Sequence, residues 1–257
     1  MERTKKCAIN HMAILEEIKR FKRVPDLGEV GNGILYEMCR KYPYHKSAPE
    51  IIAKVWLIGR SYAVSIERSK RRKERKDAGQ VSDDFYSDTV APSFLKRDFD
   101  EILNNARNIS VLIEDNLILI LKIHKEAVDF IAKEITGDNK RSFVSKYLHF
   151  HFPALFFIYD SRVSGVMDDT FKEIGGTTKD VKRMRKSLGD YDRAYADFFI
   201  KCFCFFRFCK ENDVPLNLRQ VDSFLIRRAN EKIRSRGESG TVTINFKNFC
   251  VQQIRHS

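Results

Sequence analysis

The sequence predicts an all-α protein, mainly helical, and three observations lead there. Only 12 Gly and 6 Pro punctuate 257 residues. Long stretches repeat apolar residues at three- and four-residue spacing, the period of a helix with one buried face. One short alternating run, Thr241-Val242-Thr243-Ile244-Asn245-Phe246, is the single candidate strand, expected within a C-terminal stretch from Gly237 to Ser257. Apolar residues make up 43% of the chain and 20 of them are Phe, so enough surface can be buried to offset the entropy of ordering. Length alone leaves open one sizeable core or two smaller lobes sharing helices.

The helices expected in order are His11 to Phe21, Gly28 to Arg40, Pro49 to Lys76, Ser93 to Ser110 and Leu117 to Thr136. Lys140 to Phe150, Arg162 to Lys172, Thr178 to Ser187, Tyr191 to Glu211 and Leu218 to Ile233 follow. Ser47-Ala48-Pro49-Glu50 reads as a helix start, with Ser to cap amides, Pro suited to the first turn and Glu to reach back. Ala53, Val55, Trp56, Ile58, Gly59, Tyr62, Ala63 and Ile66 then form a buried stripe. Arg68 to Lys76 is a concentrated basic run, either a solvated helix end or a phosphate contact. Gly79 to Ser87 reads as the loop after it.

Against 35 Asp and Glu stand 47 Lys and Arg, a formal charge of +12. Such an excess attracts a polyanion and makes nucleic acid the leading partner class, with a basic surface lacking any polymer partner as the alternative. Cys7, Cys39, Cys202, Cys204, Cys209 and Cys250 do not form a secreted disulfide framework, since the chain opens Met1-Glu2-Arg3-Thr4-Lys5-Lys6 without an apolar leader. A reducing cytoplasm is expected. Cys202, Cys204 and Cys209 sit among phenylalanines without zinc-site spacing and read as small core residues. Val111 to Ile123 is broken by Glu114, Asp115, Asn116 and Lys122, so no membrane span is expected.

The chemistry-bearing stretch runs from Ile135 to Val166. Thr136-Gly137-Asp138-Asn139-Lys140-Arg141 interrupts two helical patterns with a tight basic turn that can present amides to a phosphate. Ser145-Lys146-Tyr147-Leu148-His149-Phe150 follows, then Pro153, then Phe156-Phe157-Ile158-Tyr159-Asp160-Ser161-Arg162-Val163. Asp160 stands where an apolar run meets a new helix, a position that also suits an N-cap beside Ser161.

This order resembles the helix-hairpin-helix (HhH-GPD) DNA glycosylase superfamily, whose members carry a Gly-rich hairpin and an essential Asp in an apolar-then-Asp-x-x-Val context. The Ser-Lys-x-Leu-His-Phe block is similar to that of a group of divergent bacterial relatives. The usual Leu-Pro-Gly-Val-Gly hairpin is absent, and Gly137-Asp138-Asn139 stands in its place. The resemblance implies a two-lobed architecture, with a hairpin lobe at about residues 90–175 and a second lobe from 1–89 and 176–257. It implies excision of a damaged or modified base, including a bulky phage-type cytosine in a host-defence setting, with double-stranded DNA as partner, no cofactor, no membrane and a monomeric chain. Asp160 is the expected catalytic carboxylate, stabilising positive charge on the deoxyribose. Lys146 is the expected lyase nucleophile, with Lys140 as the other candidate.

Gly137, Asn139, Lys140, Arg141, Ser145 and Arg162 are the expected DNA contacts. A flipped base needs aromatic or apolar walls, which Trp56, Tyr62, Tyr147, His149 and His151 can furnish, although aromatic residues at helical spacing are commonly core. Arg60 either faces that pocket or pairs with a carboxylate such as Asp222. His149 and His151 lack a third ligand, so no metal is expected. Arg227-Arg228 and the run Lys182 to Lys186 read as solvated faces. Competing functions are a non-catalytic hairpin module that binds duplex DNA, as a nuclease partner, and a helical protein-interaction domain.

Overall fold

The computed structural model describes residues 2–26, 28–64, 66–68, 84–96, 98–186 and 189–235, with side chains from residue 10 onward. Most of the basic run ending at Lys76, the start of the loop at Gly79 and the alternating segment Thr241 to Phe246 lie outside the described residues. Within them the chain is all-α, with no strand: α1 (Glu2–Lys22), α2 (Glu29–Lys41), α3 (Ala48–Ser61), α4 (Ala91–Leu95), α5 (Asp98–Arg107), α6 (Leu117–Phe130), α7 (Arg141–His151), α8 (Ser161–Glu173), α9 (Thr178–Arg185), α10 (Arg193–Glu211) and α11 (Leu218–Ser235).

The first helix begins at Glu2, well ahead of the expected His11, and three further expected helices differ, each for a local reason. α3 ends at Ser61 instead of reaching Lys76, because Ala63 takes a left-handed φ of 50°. Val64 N–H then donates to Gly59 C=O at 2.9 Å and Ala63 N–H to Arg60 C=O at 3.2 Å, the paired bonds of a Schellman stop. Ser47 precedes this helix as expected, but its hydroxyl makes no capping bond. The stretch from Ser93 divides into α4 and α5; Asp98, Asp100 and Glu101 give α5 its own acidic first turn. Phe94 and Phe99 thereby turn into one core, ring centroids 4.7 Å apart. α6 runs on into a π-helical turn, Ile131–Thr136, which Gly137 closes with φ 73° and an N–H bond to Ala132 C=O. A second π-helical turn, Tyr86–Val90, leads into α4 where a loop is expected through Ser87.

Helices α2 to α7 pack chiefly on one another, and α1 packs with α8 to α11. The pairs α2 with α7, α3 with α7 and α8 with α10 cross residues 90 and 175. Buried apolar side chains form one continuous cluster, from Val55 and Ile58 through Tyr147 and Leu148 to Phe199, Phe203 and Phe224. Cys39, Cys202 and Cys209 are free thiols inside it. The two helix groups meet where the chain passes from α7 to α8.

Left-handed backbone costs a residue with a Cβ about 1 kcal/mol relative to glycine. Ala63→Gly is therefore expected to stabilise the protein by up to about 1 kcal/mol, less the extra entropy of unfolded glycine. A rise in thermal midpoint with an unchanged unfolding slope checks it.

Candidate functional site

Between α7 and α8 the chain crosses the core outside any helix, leaving a turn at residues 153–155. Leu155, Phe156, Phe157 and Ile158 are buried, yet no strand lies beside them among the described residues. Their backbone groups still need partners, since an unmet buried carbonyl or amide costs about 1–3 kcal/mol. Side chains meet several of those in this run and at Tyr159 just after it. His149 Nδ1–H donates to Phe156 C=O at 2.7 Å, and Tyr195 Oη to Phe157 C=O at 3.0 Å. Ser145 Oγ accepts from Tyr159 N–H at 2.9 Å. Tyr159 C=O accepts from Lys146 Nζ at 2.8 Å and from Ser142 Oγ at 3.2 Å. Ser142, Ser145, Lys146 and His149 fall at helical spacing on one face of α7 and take the place of a neighbouring strand.

Asp160 is the next residue, and the expected N-cap is present. Its carboxylate accepts from Arg162 N–H at 3.0 Å and pairs with the Arg162 guanidinium at 2.5 Å. The side chain is 16% exposed, sheltered but open, whereas that of Arg162 is 63% exposed and forms a cationic rim. Burial pushes the Asp160 carboxyl upward, but the Arg162 hydrogen bonds and the charge of Lys146 outweigh it and hold the group below the usual carboxylate range.

Lys146 is 1% exposed, and burial brings its ammonium down to about 8 against the pull of Asp160 and Asp222. Its donors go to Ser142 C=O at 3.3 Å, Ser142 Oγ at 2.9 Å and Tyr159 C=O. An ammonium has three N–H bonds and here finds three acceptors. A nucleophile needs a free lone pair and an approach path, and Lys146 has neither in this arrangement.

Around the hairpin, Gly137 makes the expected tight turn, but the side chains after it are committed inward. The Arg141 guanidinium binds both oxygens of Asp192 at 2.7 Å, and Asn139 Nδ2 donates to Asp192 at 3.3 Å. Lys140 Nζ donates to Arg68 C=O at 2.9 Å and lies 3.7 Å from Asp138. Ser145 is buried in the clamp, away from any surface.

Of the expected base-pocket residues, Tyr147 is in the core, its hydroxyl donating to His45 Nε2 at 2.6 Å while His45 Nδ1–H donates to Asp100 at 2.9 Å. His149 is fully buried between Phe156 C=O and Tyr36 Oη, the latter donating to its Nε2 at 2.7 Å; burial brings its imidazole down to about 4, so it stays neutral. His151 packs on Tyr147. Arg60 is exposed and pairs with Glu67 at 2.9 Å, not with Asp222. Trp56 stays 38% exposed on α3. Comparisons with family models, curated proteins and solved structures return no match. Among the described residues no helix is long and apolar enough to cross a membrane. Likewise, no three His, Cys, Asp or Glu side chains gather there as a metal site.

Tyr62 joins this region to a second polar group, of which the sequence singles out Asp222 alone. Its hydroxyl donates to Asn32 Oδ1 at 2.8 Å, and its ring centroid lies 5.9 Å from Lys146 Nζ and 5.8 Å from the Arg219 guanidinium. Arg219 forms a short ion pair with Asp222, buried at the inner face of α11. Asn32 and Arg219 also form part of the wall of a groove of about 1380 Å³. The sequence holds a trace of this: Asn32 and Asp222 interrupt buried helical stripes marked by Leu35 and Cys39 in α2 and by Val221 and Leu225 in α11.

Asp192 anchors the hairpin and caps α10 through Tyr195 N–H at 3.2 Å. Replacing it with Ala strands the Arg141 charge and is expected to destabilise by about 3 kcal/mol or more. Burial raises the Asp192 carboxyl, but the Arg141 and Tyr195 hydrogen bonds lower it overall, so this stability is present above the ordinary aspartate range and lost as pH falls through the depressed value. Denaturant titrations of both proteins at neutral and acidic pH should show the gap closing toward low pH.

Proposed function

We propose that this chain is a divergent helix-hairpin-helix DNA glycosylase that hydrolyses the N-glycosidic bond of a flipped, damaged or modified base. The observation that carries the reading is the state of Asp160: a carboxylate fixed by its own cap bond, ionised in a sheltered position and rimmed by an exposed guanidinium. That is the environment a developing oxocarbenium ion requires, because sheltered charge acts more strongly than charge in bulk water.

In the reaction the C1′–N bond breaks and its electron pair leaves with the base. Asp160 opposes the positive charge left on the sugar and takes a proton from a water molecule as the water oxygen bonds to C1′. That proton is then free to pass to the departing base, so the net change is addition of one water. Lys146 serves as a positioning residue: by holding Tyr159 C=O it fixes the peptide preceding Asp160. The proposed enzyme is accordingly monofunctional, leaving an abasic site with the strand intact. Arg162, Lys210 and Arg234 offer side chains for the phosphate backbone, while the inward pairing of Lys140 and Arg141 leaves the hairpin to act through its backbone.

The alternative, a hairpin module that binds duplex without chemistry, is favoured by the complete pairing of Asp160 with Arg162. Both readings predict DNA affinity that falls steeply with salt. They separate on a panel of duplexes carrying damaged and phage-modified bases, scored for released base and alkali-labile sites. Asp160→Asn is expected to abolish product, by at least about a hundredfold, while leaving duplex affinity within about twofold; absence of product from the unaltered protein would leave the binding module standing.

The pH profile tests Lys146. With Asp160 as the working group, the single-turnover rate stays level from neutral to mildly alkaline pH and falls only in acid, below the usual aspartate range. A free Lys146 amine would instead make the rate climb until about pH 8. Borohydride is expected to trap no adduct, and a covalent complex lost in Lys146→Met would restore the lysine as nucleophile.

A further inference from the structure

The groove of about 1380 Å³ runs along one face of α11, where Arg219, Ser223, Ile226, Asn230 and Arg234 recur at helical spacing. Its other walls include Val24 just past α1 and the segment Val111-Leu112-Ile113 ahead of α6. Val24, Val111 and Ile113 are 56%, 54% and 46% exposed, and Phe206, Leu216 and Ile226 extend the apolar lining. Apolar side chains gathered in a groove and left to water mark a docking surface. Backbone in the same wall is unmet as well. Asn116 Nδ2 donates to Val111 C=O at 2.5 Å, and Ile113 N–H donates to Asn116 Oδ1 at 3.1 Å. In a trans peptide the C=O and N–H point opposite ways, so these two bonds turn both the N–H and the C=O of Leu112 away from Asn116. No hydrogen bond from a described residue reaches either group. The Leu112 side chain belongs to the core cluster, so this residue offers the groove a donor and an acceptor on one edge. One residue of an antiparallel strand takes up such a pair together.

We infer that Thr241 to Phe246 of this same chain docks in the groove as a strand and gives Leu112 its two backbone bonds. The described chain stops at Ser235, one residue beyond Arg234 in the groove lining. Arg236 to Gly240 then supply five residues, a reach of up to about 17 Å, with Gly237 and Gly240 to let the chain turn back. Six extended residues cover about 20 Å, close to the length of about 22 Å that α11 spans between Arg219 and Arg234. Alternation places Val242, Ile244 and Phe246 on one face for the apolar lining and Thr241, Thr243 and Asn245 on the other, toward water. Main-chain bonds to an open edge combined with pockets for alternate side chains are the physics of strand addition. The segment carries no charged side chain, so Lys210 and Arg234, exposed on the same groove, keep their charge for phosphate. Such docking is independent of the chemistry at Asp160.

Amide hydrogen exchange on the full chain, read residue by residue by NMR, tests the docking. The Leu112 amide and alternate amides of Thr241 to Phe246 should exchange at least about tenfold more slowly than in an unfolded chain, at a rate independent of protein concentration. Ile244→Asp puts a charge on the docking face and should return Leu112 and the segment together to within about twofold of the unfolded rate, while α6 and α7 stay protected. Val111→Asp alters the groove instead, at a side chain exposed enough to accept the change. It should release the segment in the same way, and it decides the matter if the first variant aggregates. Segment amides already at the unfolded rate in the unaltered protein would overturn the proposal. Protection that grows with concentration would give the groove to the segment of a second copy, and protection that survives both substitutions would put the segment elsewhere; either result overturns it too.

Discussion

A stretch of non-helical chain buried with no strand beside it among the described residues is the constraint on which this structure turns. Residues 155–159 carry large apolar side chains into the core, and their amides and carbonyls have to be met there. The polar face of α7 does most of this, with Tyr195 of α10 on the other side. Each of those side chains is fixed in turn: His149 by Tyr36 of α2, and Lys146 by Ser142 one turn back. Helices from both packing groups are thus tied to one short run of backbone, and Asp160 is the residue at which that run emerges.

Much of this was legible in the sequence as position, and less of it as role. Polar residues at helical spacing inside an apolar stretch mark Ser145, Lys146 and His149 as unusual, and the apolar run ending in Asp160 marks a helix start. Their partners are carbonyls of a segment with neither helical nor strand period, so sequence spacing cannot separate a backbone clamp from a reactive amine. The stop after α3 is hidden for a related reason: Ala63 adopts a conformation normally left to glycine, which its residue type does not announce. Asn32 and Arg219 come from helices nearly the length of the chain apart, and only folding brings them to one wall.

Charge follows the same pattern. The formal excess of +12 is a property of the whole chain, and individual cations differ in what they can do. Arg141 and Lys140, the most conspicuous bases of the hairpin, are consumed by Asp192 and by a carbonyl. A cation already held in a buried pair gives little to an incoming phosphate, because its field is largely cancelled at short range. Arg162 does face outward, and its partner is the very carboxylate on which the proposed reaction depends.

The clamp also governs where the polypeptide can change length. From Phe156 to Tyr159 successive peptide groups are pinned to fixed side chains, leaving no slack for an added or lost residue without moving every contact out of step. Just upstream, Pro153 and Ala154 are exposed at the edge of the groove and carry no such ties. Insertions are absorbed there at little thermodynamic cost, so the groove rim can be remodelled while Asp160 keeps its place.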